Sequence, residues 1–189
     1  MSSSSIHAHP APVLADLLPG ARVRDAVLIG VYALAIAASA QIAVPLPGTP
    51  VPVTGQTFVV LLGAAALGTH RAALGAGLFL GAGLVGVPWF AATGGATVGY
   101  IVGFVLAAFV VGRLARARVV DSHLGTAGVM VLGNVAIYAC GVPVLMLVTG
   151  MGFEAALVAG VVPFLIGDAA KIALATAVLP YAQRLLPRE

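Results

Sequence analysis

An acid and a base lie three residues apart, at Asp168 and Lys171, in one of the most apolar stretches of the chain. Residues with this spacing share a face of a helix, so the carboxylate and the ammonium are expected to be neighbours. Charged groups in an apolar segment are costly unless they pair, face water or bind a ligand. The pair therefore offers an acceptor and a donor to a polar ligand. The alternative is a buried ion pair that only ties this segment to its neighbours.

The position of the pair along its segment favours a site inside the protein. The next basic residue, Arg184, is about 20 Å further along a helix, which is too far for the Lys171 ammonium to reach the same surface. Pro163 and Gly167 precede the pair, and both residue types weaken a helix. We expect this local weakness to free a backbone carbonyl or to open a cavity beside Asp168.

The composition excludes an ordinary soluble domain. Of the 189 residues, 61% are hydrophobic and 8% are charged, whereas globular chains are about 25% charged. The apolar residues fall in runs long enough to cross a bilayer, which takes about 20 residues for a helix. We predict an all-α polytopic membrane protein with six transmembrane helices in one compact bundle, at approximately 25–44, 54–69, 72–90, 97–117, 124–149 and 154–181.

The eight arginines test this layout, because all of them fall on one side of the membrane when six segments alternate. They lie before the first segment, in the turn between the second and third, at the connection of the fourth to the fifth, and after the sixth. Short loops rich in arginine face the cytoplasm. We therefore predict that both termini are cytoplasmic, that residues 1–24 form a flexible cytoplasmic tail, and that residues 25–189 form the transmembrane domain.

The connections on the opposite side differ in composition from ordinary linkers. Residues 44–57 carry several prolines and no charge, so this segment is stiff and can fold back over the bundle as a lid. Residues 87–100 are glycine-rich, which allows the backbone to approach a ligand closely. The alternative for both segments is an ordinary turn between two helices.

Polar and small residues within the other segments have structural interpretations. Asn134 and Tyr138 share a face of the fifth segment, where helix–helix hydrogen bonding is the favoured role. Ala33 and Ala37, four apart in the first segment, permit close approach of another helix. That helix belongs either to the bundle itself or to a partner subunit.

Several classes of activity lack their sequence signals. The phosphate-binding loop motif of ATPases is absent from the sequence, as are the motifs of zinc proteases and serine hydrolases. The histidines have no convergent acids or cysteines with metal-ligand spacing. We expect neither an enzyme nor a bound cofactor, but a membrane protein that binds a solute.

Four stretches together resemble the biotin-specific S component of energy-coupling factor (ECF) transporters, the BioY family. These are the proline-rich stretch 41–57, the run Gly86-Val-Pro88 with Phe90, the run Gly99-Tyr100-Ile-Val-Gly103-Phe104, and Asp168-Ala-Ala-Lys171. The resemblance covers about residues 30–180 in order. The loop before Tyr100 is shorter than the loop of the family.

The resemblance implies a protein that binds biotin at an outward-facing site in a bacterial cytoplasmic membrane. A transmembrane coupling subunit and two cytoplasmic ATPases would drive transport. The residues it implies as ligand contacts are Asp168, Lys171, Gln56, Thr93, Gly95, Tyr100 and Trp89, and Ala33 and Ala37 would face the coupling subunit. Two alternatives stay open: an S component for another vitamin, such as thiamine or riboflavin, and a solitary proton-coupled carrier.

Overall fold

Seven α-helices and one short hairpin make up the described part of the protein. The computed structural model describes residues 22–90 and 95–183, and for 181–183 only the backbone. The helices are α1 Arg22–Ala40, α2 Gln56–Leu67, α3 Thr69–Leu84, α4 Gly95–Arg116, α5 His123–Thr149, α6 Phe153–Gly160 and α7 Leu165–Gln183. Strands β1 Ala43–Val44 and β2 Val53–Thr54 pair antiparallel between α1 and α2.

Helices occupy all six predicted segments in the predicted order, and the sixth is divided. A 3-10 turn, Val162–Phe164, separates α6 from α7. Four stretches of the described chain are long and apolar enough to cross a membrane: Arg22–Ala40, Gly95–Arg116, His123–Thr149 and Phe153–Pro180. Helix α2 has 12 residues, which is about 18 Å of helix against a hydrocarbon core of about 30 Å.

The first segment differs from its predicted bounds at both ends. Helix α1 begins at Arg22, so the last residues of the predicted tail are helical, and residues 1–21 lie outside the described part. The helix ends at Ala40 because the chain then turns into the hairpin, in which Ala43 pairs with Thr54 and Val44 with Val53. The prolines between the strands leave room for only two residues of each strand to pair.

The surface of the bundle carries many large apolar side chains. Exposed examples from five helices are Val27, Val31, Leu78, Phe109, Val135, Ile166 and Leu174. Apolar surface of this extent is not stable in water and matches the hydrocarbon of a bilayer. Inside, Gly103 brings α4 against α5, since a Cβ there would lie 2.7 Å from Ile137 Cα.

The arginines of the described helices gather at one end of the bundle. Arg71 Nε donates to Asp25 Oδ1 at 2.9 Å, which joins the start of α3 to the start of α1. Gly68, at the turn between α2 and α3, has a φ of 77° and faces the Arg116 guanidinium at the end of α4. This grouping is the one that the alternation of segments predicts. Arg184 and Arg188 lie outside the described residues.

The small-residue face of α1 is directed inward, so the prediction that Ala33 and Ala37 contact a partner subunit is wrong for this structure. Each is only 1% exposed. They share the buried face of α1 with Tyr32 and Ile36, and this face packs on α3 and α2. Their small size serves close packing within the bundle, which was the other interpretation.

Candidate functional site

A cavity of about 290 Å³ lies at the end of the bundle opposite the arginines. This volume is close to the lower limit of small-molecule pockets, roughly 300 Å³. The hairpin, the loop after α3 and the outer parts of α2, α4, α5 and α7 enclose the cavity. Aromatic side chains form much of the wall, namely Phe79, Trp89, Tyr100, Phe104, Tyr138 and Phe164.

The break between α6 and α7 places Asp168 and Lys171 beside this cavity. Pro163 has no N–H, and Phe164 N–H bonds to Val161 O in the 3-10 turn. The Gly160 carbonyl therefore lacks its usual donor four residues on, and Tyr100 Oη–H supplies one at 2.9 Å. The predicted local weakness around Pro163 thus frees a backbone carbonyl, that of Gly160. Helix α7 then restarts at Leu165, one turn before Asp168.

Lys171 joins α7 to the hairpin and to α2. Its ammonium donates to Thr54 O at 2.9 Å and to Thr57 Oγ1 at 2.7 Å. An ammonium has three N–H donors, so one remains for another acceptor. The Lys171 side chain is 22% exposed and lines the cavity, so that acceptor can belong to a ligand.

Asp168 lies beside the lysine but is not fully paired by it. Oδ1 is 3.7 Å from Lys171 Nζ, which is longer than a hydrogen bond. Oδ2 accepts from the Tyr138 hydroxyl on α5. Among the described residues, Asp168 Oδ1 thus accepts no hydrogen bond, although the residue is 4% exposed. Asp168 lines the cavity, so a donor from a ligand can reach this oxygen there.

The arrangement provides one strong acceptor and one strong donor less than 4 Å apart, at the edge of an aromatic chamber. Both groups are charged, and hydrogen bonds to charged groups contribute about 1.5–3 kcal/mol each. A ligand with an apolar body and neighbouring N–H and C=O or carboxylate groups fits this chemistry. Nucleophilic chemistry has no evident base–nucleophile pair among the lining residues of the described chain.

Five of the seven predicted contacts line the cavity: Asp168, Lys171, Gln56, Tyr100 and Trp89. Gln56, 6% exposed, accepts from Thr54 Oγ1 at 3.0 Å at the start of α2. Trp89 is 69% exposed at the rim. Its backbone, with a φ of 74°, is joined to the end of α1 because Gln41 Nε2 donates to Trp89 O at 3.4 Å.

The other two predicted contacts are not part of the described cavity. Gly95 does not line it, because this first residue of α4 faces α5, where a Cβ would lie 3.6 Å from Val148 Cγ1. Thr93 lies outside the described residues.

Sequence reasoning assigned no site role to Thr54, Thr57, Tyr138, Phe104 or Phe164. Of these, Tyr138 carried a usable signal, a lone phenol in an apolar helix, and its predicted helix–helix hydrogen bond is confirmed by the contact with Asp168. The threonines gave no comparable signal, since threonine is common in loops and at helix starts.

Known proteins are similar to this chain in sequence and in fold. The sequence model described as BioY family matches residues 9–188. "Biotin transporter BioY" of Thermotoga maritima is 36% identical over 160 residues, which are 81% of this chain and 92% of the relative. The protein of the same name from Rhizobium etli is 31% identical over 167 residues, with 80% and 89% covered.

A solved structure has the same architecture. It is the crystal structure of the S-component for biotin from an ECF-type ABC transporter, with a TM-score of 0.75 over 86% of this chain and 92% of the other. At 20% identity, this likeness establishes the shared fold. The sequence match over nearly the whole length establishes the family: this chain belongs to the BioY family.

Proposed function

We propose that the protein is the biotin-binding S component of an ECF-type vitamin transporter. The observation that carries this proposal is the free hydrogen-bonding capacity of Asp168 and Lys171 at the edge of an aromatic cavity. The family supplies the ligand, because the relatives from Thermotoga maritima and Rhizobium etli are named biotin transporters. The protein would bind and release biotin without covalent chemistry.

Biotin matches the cavity group by group. Its ureido ring has two N–H donors and a carbonyl, its bicyclic body is largely apolar, and its side chain ends in a carboxylate. Asp168 would accept from a ureido N–H, and Lys171 would donate to the ureido carbonyl or to the carboxylate. Gln56, Tyr100 and Trp89 would line the remaining surface. Thr93 remains a proposed contact from the loop before α4.

We propose the orientation from the distribution of charge. The end of the bundle that carries Arg71 and Arg116 would face the cytoplasm, as basic loops do. Both termini would then be cytoplasmic, with six membrane segments in which α6 and α7 form one. The cavity would open outward, in the cytoplasmic membrane of a bacterium. Residues 25–189 would form the membrane domain, with a cytoplasmic tail before it.

Transport would need partner subunits. The sequence has no phosphate-binding loop, and the structural relative is an S component of an ECF-type ABC transporter. A transmembrane coupling subunit and two cytoplasmic ATPases would therefore supply the energy. No cofactor enters this scheme, and biotin is the transported ligand.

Uptake of labelled biotin into vesicles tests this function. Vesicles that contain the protein together with a coupling subunit and ATPases should accumulate biotin only when ATP is present inside. Unlabelled biotin should compete, whereas thiamine and riboflavin should not. Equal uptake without the ATPases would favour a proton-coupled carrier, and competition by thiamine or riboflavin alone would favour another vitamin.

A further inference from the structure

We propose that Tyr138 is a positioning residue, which orients the Asp168 carboxylate for the ligand. The inference deepens the proposed function and rests on it, because its effect is measured as biotin affinity. The observation is a hydrogen bond between two helices: the Tyr138 hydroxyl on α5 donates to Asp168 Oδ2 on α7. This bond occupies one carboxylate oxygen and leaves the other for the cavity.

The hydroxyl of Tyr138 has a well-defined position because its ring is held on two sides. The Tyr100 ring meets it edge-on, with centroids 6.4 Å apart and an interplanar angle of 86°. The Phe164 ring lies on another side, with centroids 6.5 Å apart. Aromatic pairs at these distances are attractive in such geometries. Tyr100 is itself fixed through its hydrogen bond to Gly160 O.

The orientation matters because a second partner competes for Asp168. Lys171 Nζ is 3.7 Å from Oδ1, only slightly beyond a hydrogen bond. A small rotation of the carboxylate would close this gap and form a tight ion pair. That pair would use the acceptor and the donor that the ligand needs. By holding Oδ2, Tyr138 keeps the two charged groups separate and available.

Removal of one oxygen atom, that of the Tyr138 hydroxyl, tests the positioning role. Tyr138→Phe keeps the ring contacts and removes the hydroxyl, so the variant should still fold, with its stability lowered only by the loss of one hydrogen bond. Its biotin affinity should fall about tenfold, the size expected for one hydrogen bond to a charged group. Tyr32→Phe is the matched control, because Tyr32 Oη bonds to Val60 O away from the cavity, and its affinity should not change.

A double-mutant cycle separates positioning from direct contact with the ligand. Asp168→Asn keeps the shape of the side chain and one acceptor oxygen but loses the charge. If Tyr138 acts through Asp168, adding Tyr138→Phe to Asp168→Asn should change the affinity less than twofold. A full tenfold loss in that background would show that Tyr138 contacts biotin directly and would overturn the inference.

Measurement of Tyr138→Phe alone can also overturn the inference. If wild-type protein binds biotin and Tyr138→Phe binds it equally well, the hydrogen bond has no positioning role, and the proposed function is unaffected. If the wild-type protein itself does not bind biotin, the proposed function fails first. Calorimetric titration of purified protein in detergent distinguishes these cases.

Discussion

Two sites in the bundle bury polar groups among apolar helices, and they do so differently. At the tyrosine slot, defined by Tyr32, Gly63 and Gly75, the Tyr32 hydroxyl donates to Val60 O at 2.7 Å and the ring fills the space over both glycines. At the polar wall of the cavity, Asp168 and Lys171 make hydrogen bonds that leave one acceptor and one donor unused.

This difference distinguishes a polar group that stabilises the fold from a polar group that is available to a ligand. A buried polar group that is satisfied within the chain stabilises one arrangement of helices, here α1 against α2 and α3. A buried charge that keeps free capacity beside a cavity adds little to stability and is suited to a ligand. Changes at the polar wall should therefore alter binding, and changes at the tyrosine slot should alter stability.

The largest effect is expected from Lys171→Ala. Biotin affinity should fall by about 100-fold or more, because the variant loses a charged donor to the ligand and the contacts that hold the hairpin. Ile166→Ala is the matched control on the same helix, since Ile166 is 85% exposed, and it should bind normally. Calorimetry measures both affinities. Unchanged affinity in Lys171→Ala would return the pair to a purely structural role.

A methyl group in the tyrosine slot should mainly lower stability. In Gly75→Ala the new Cβ would lie 2.5 Å from Tyr32 Cδ1. Overpacking costs about 1–3 kcal/mol, partly offset by about 1 kcal/mol of helix propensity. The melting temperature in detergent should therefore drop. Gly77→Ala, on the same helix with nothing within 4 Å, should not lower it. If both variants melt alike, the slot is not close-packed.

Loss of a neighbour of Lys171 should have an intermediate effect on binding. Thr57→Val keeps the shape of the side chain and removes the oxygen 2.7 Å from Lys171 Nζ. We expect a three- to tenfold loss of affinity, roughly the effect of one hydrogen bond. Thr176→Val on α7 is the control, because its buried hydroxyl has no partner among the described residues. An equal loss in both variants would contradict this account of Lys171.

The smallest effect belongs to the hydroxyl of the tyrosine slot. Tyr32→Phe removes one neutral hydrogen bond and leaves the Val60 carbonyl bonded within its helix. Stability should fall by about 1 kcal/mol, read as a lower melting temperature, while biotin affinity stays the same. A loss of affinity without a change in melting temperature would break the distinction between the two sites.

The charged pair was predictable from sequence because its cost depends only on local composition. An acid and a base in an apolar run require compensation wherever the helices lie, and the cavity beside Asp168 and Lys171 provides it. The helical break was predictable for a similar reason, since Pro163 cannot donate a hydrogen bond in any fold.

Other features depend on how helices rotate against each other, which a single sequence does not specify. Small residues four apart permit close packing on either side of a helix, so Ala33 and Ala37 were assigned to the wrong neighbour. The pairing of Tyr138 with Asp168 needs the relative rotation of α5 and α7. The hairpin was missed because its two-residue strands are too short to produce an alternating pattern.

The most direct test of the central claim is a calorimetric titration of the purified protein with biotin. The free donor and acceptor at the polar wall predict saturable binding of one biotin with a dissociation constant below micromolar, and no binding of thiamine or riboflavin. Biotin binding weaker than micromolar would contradict the account.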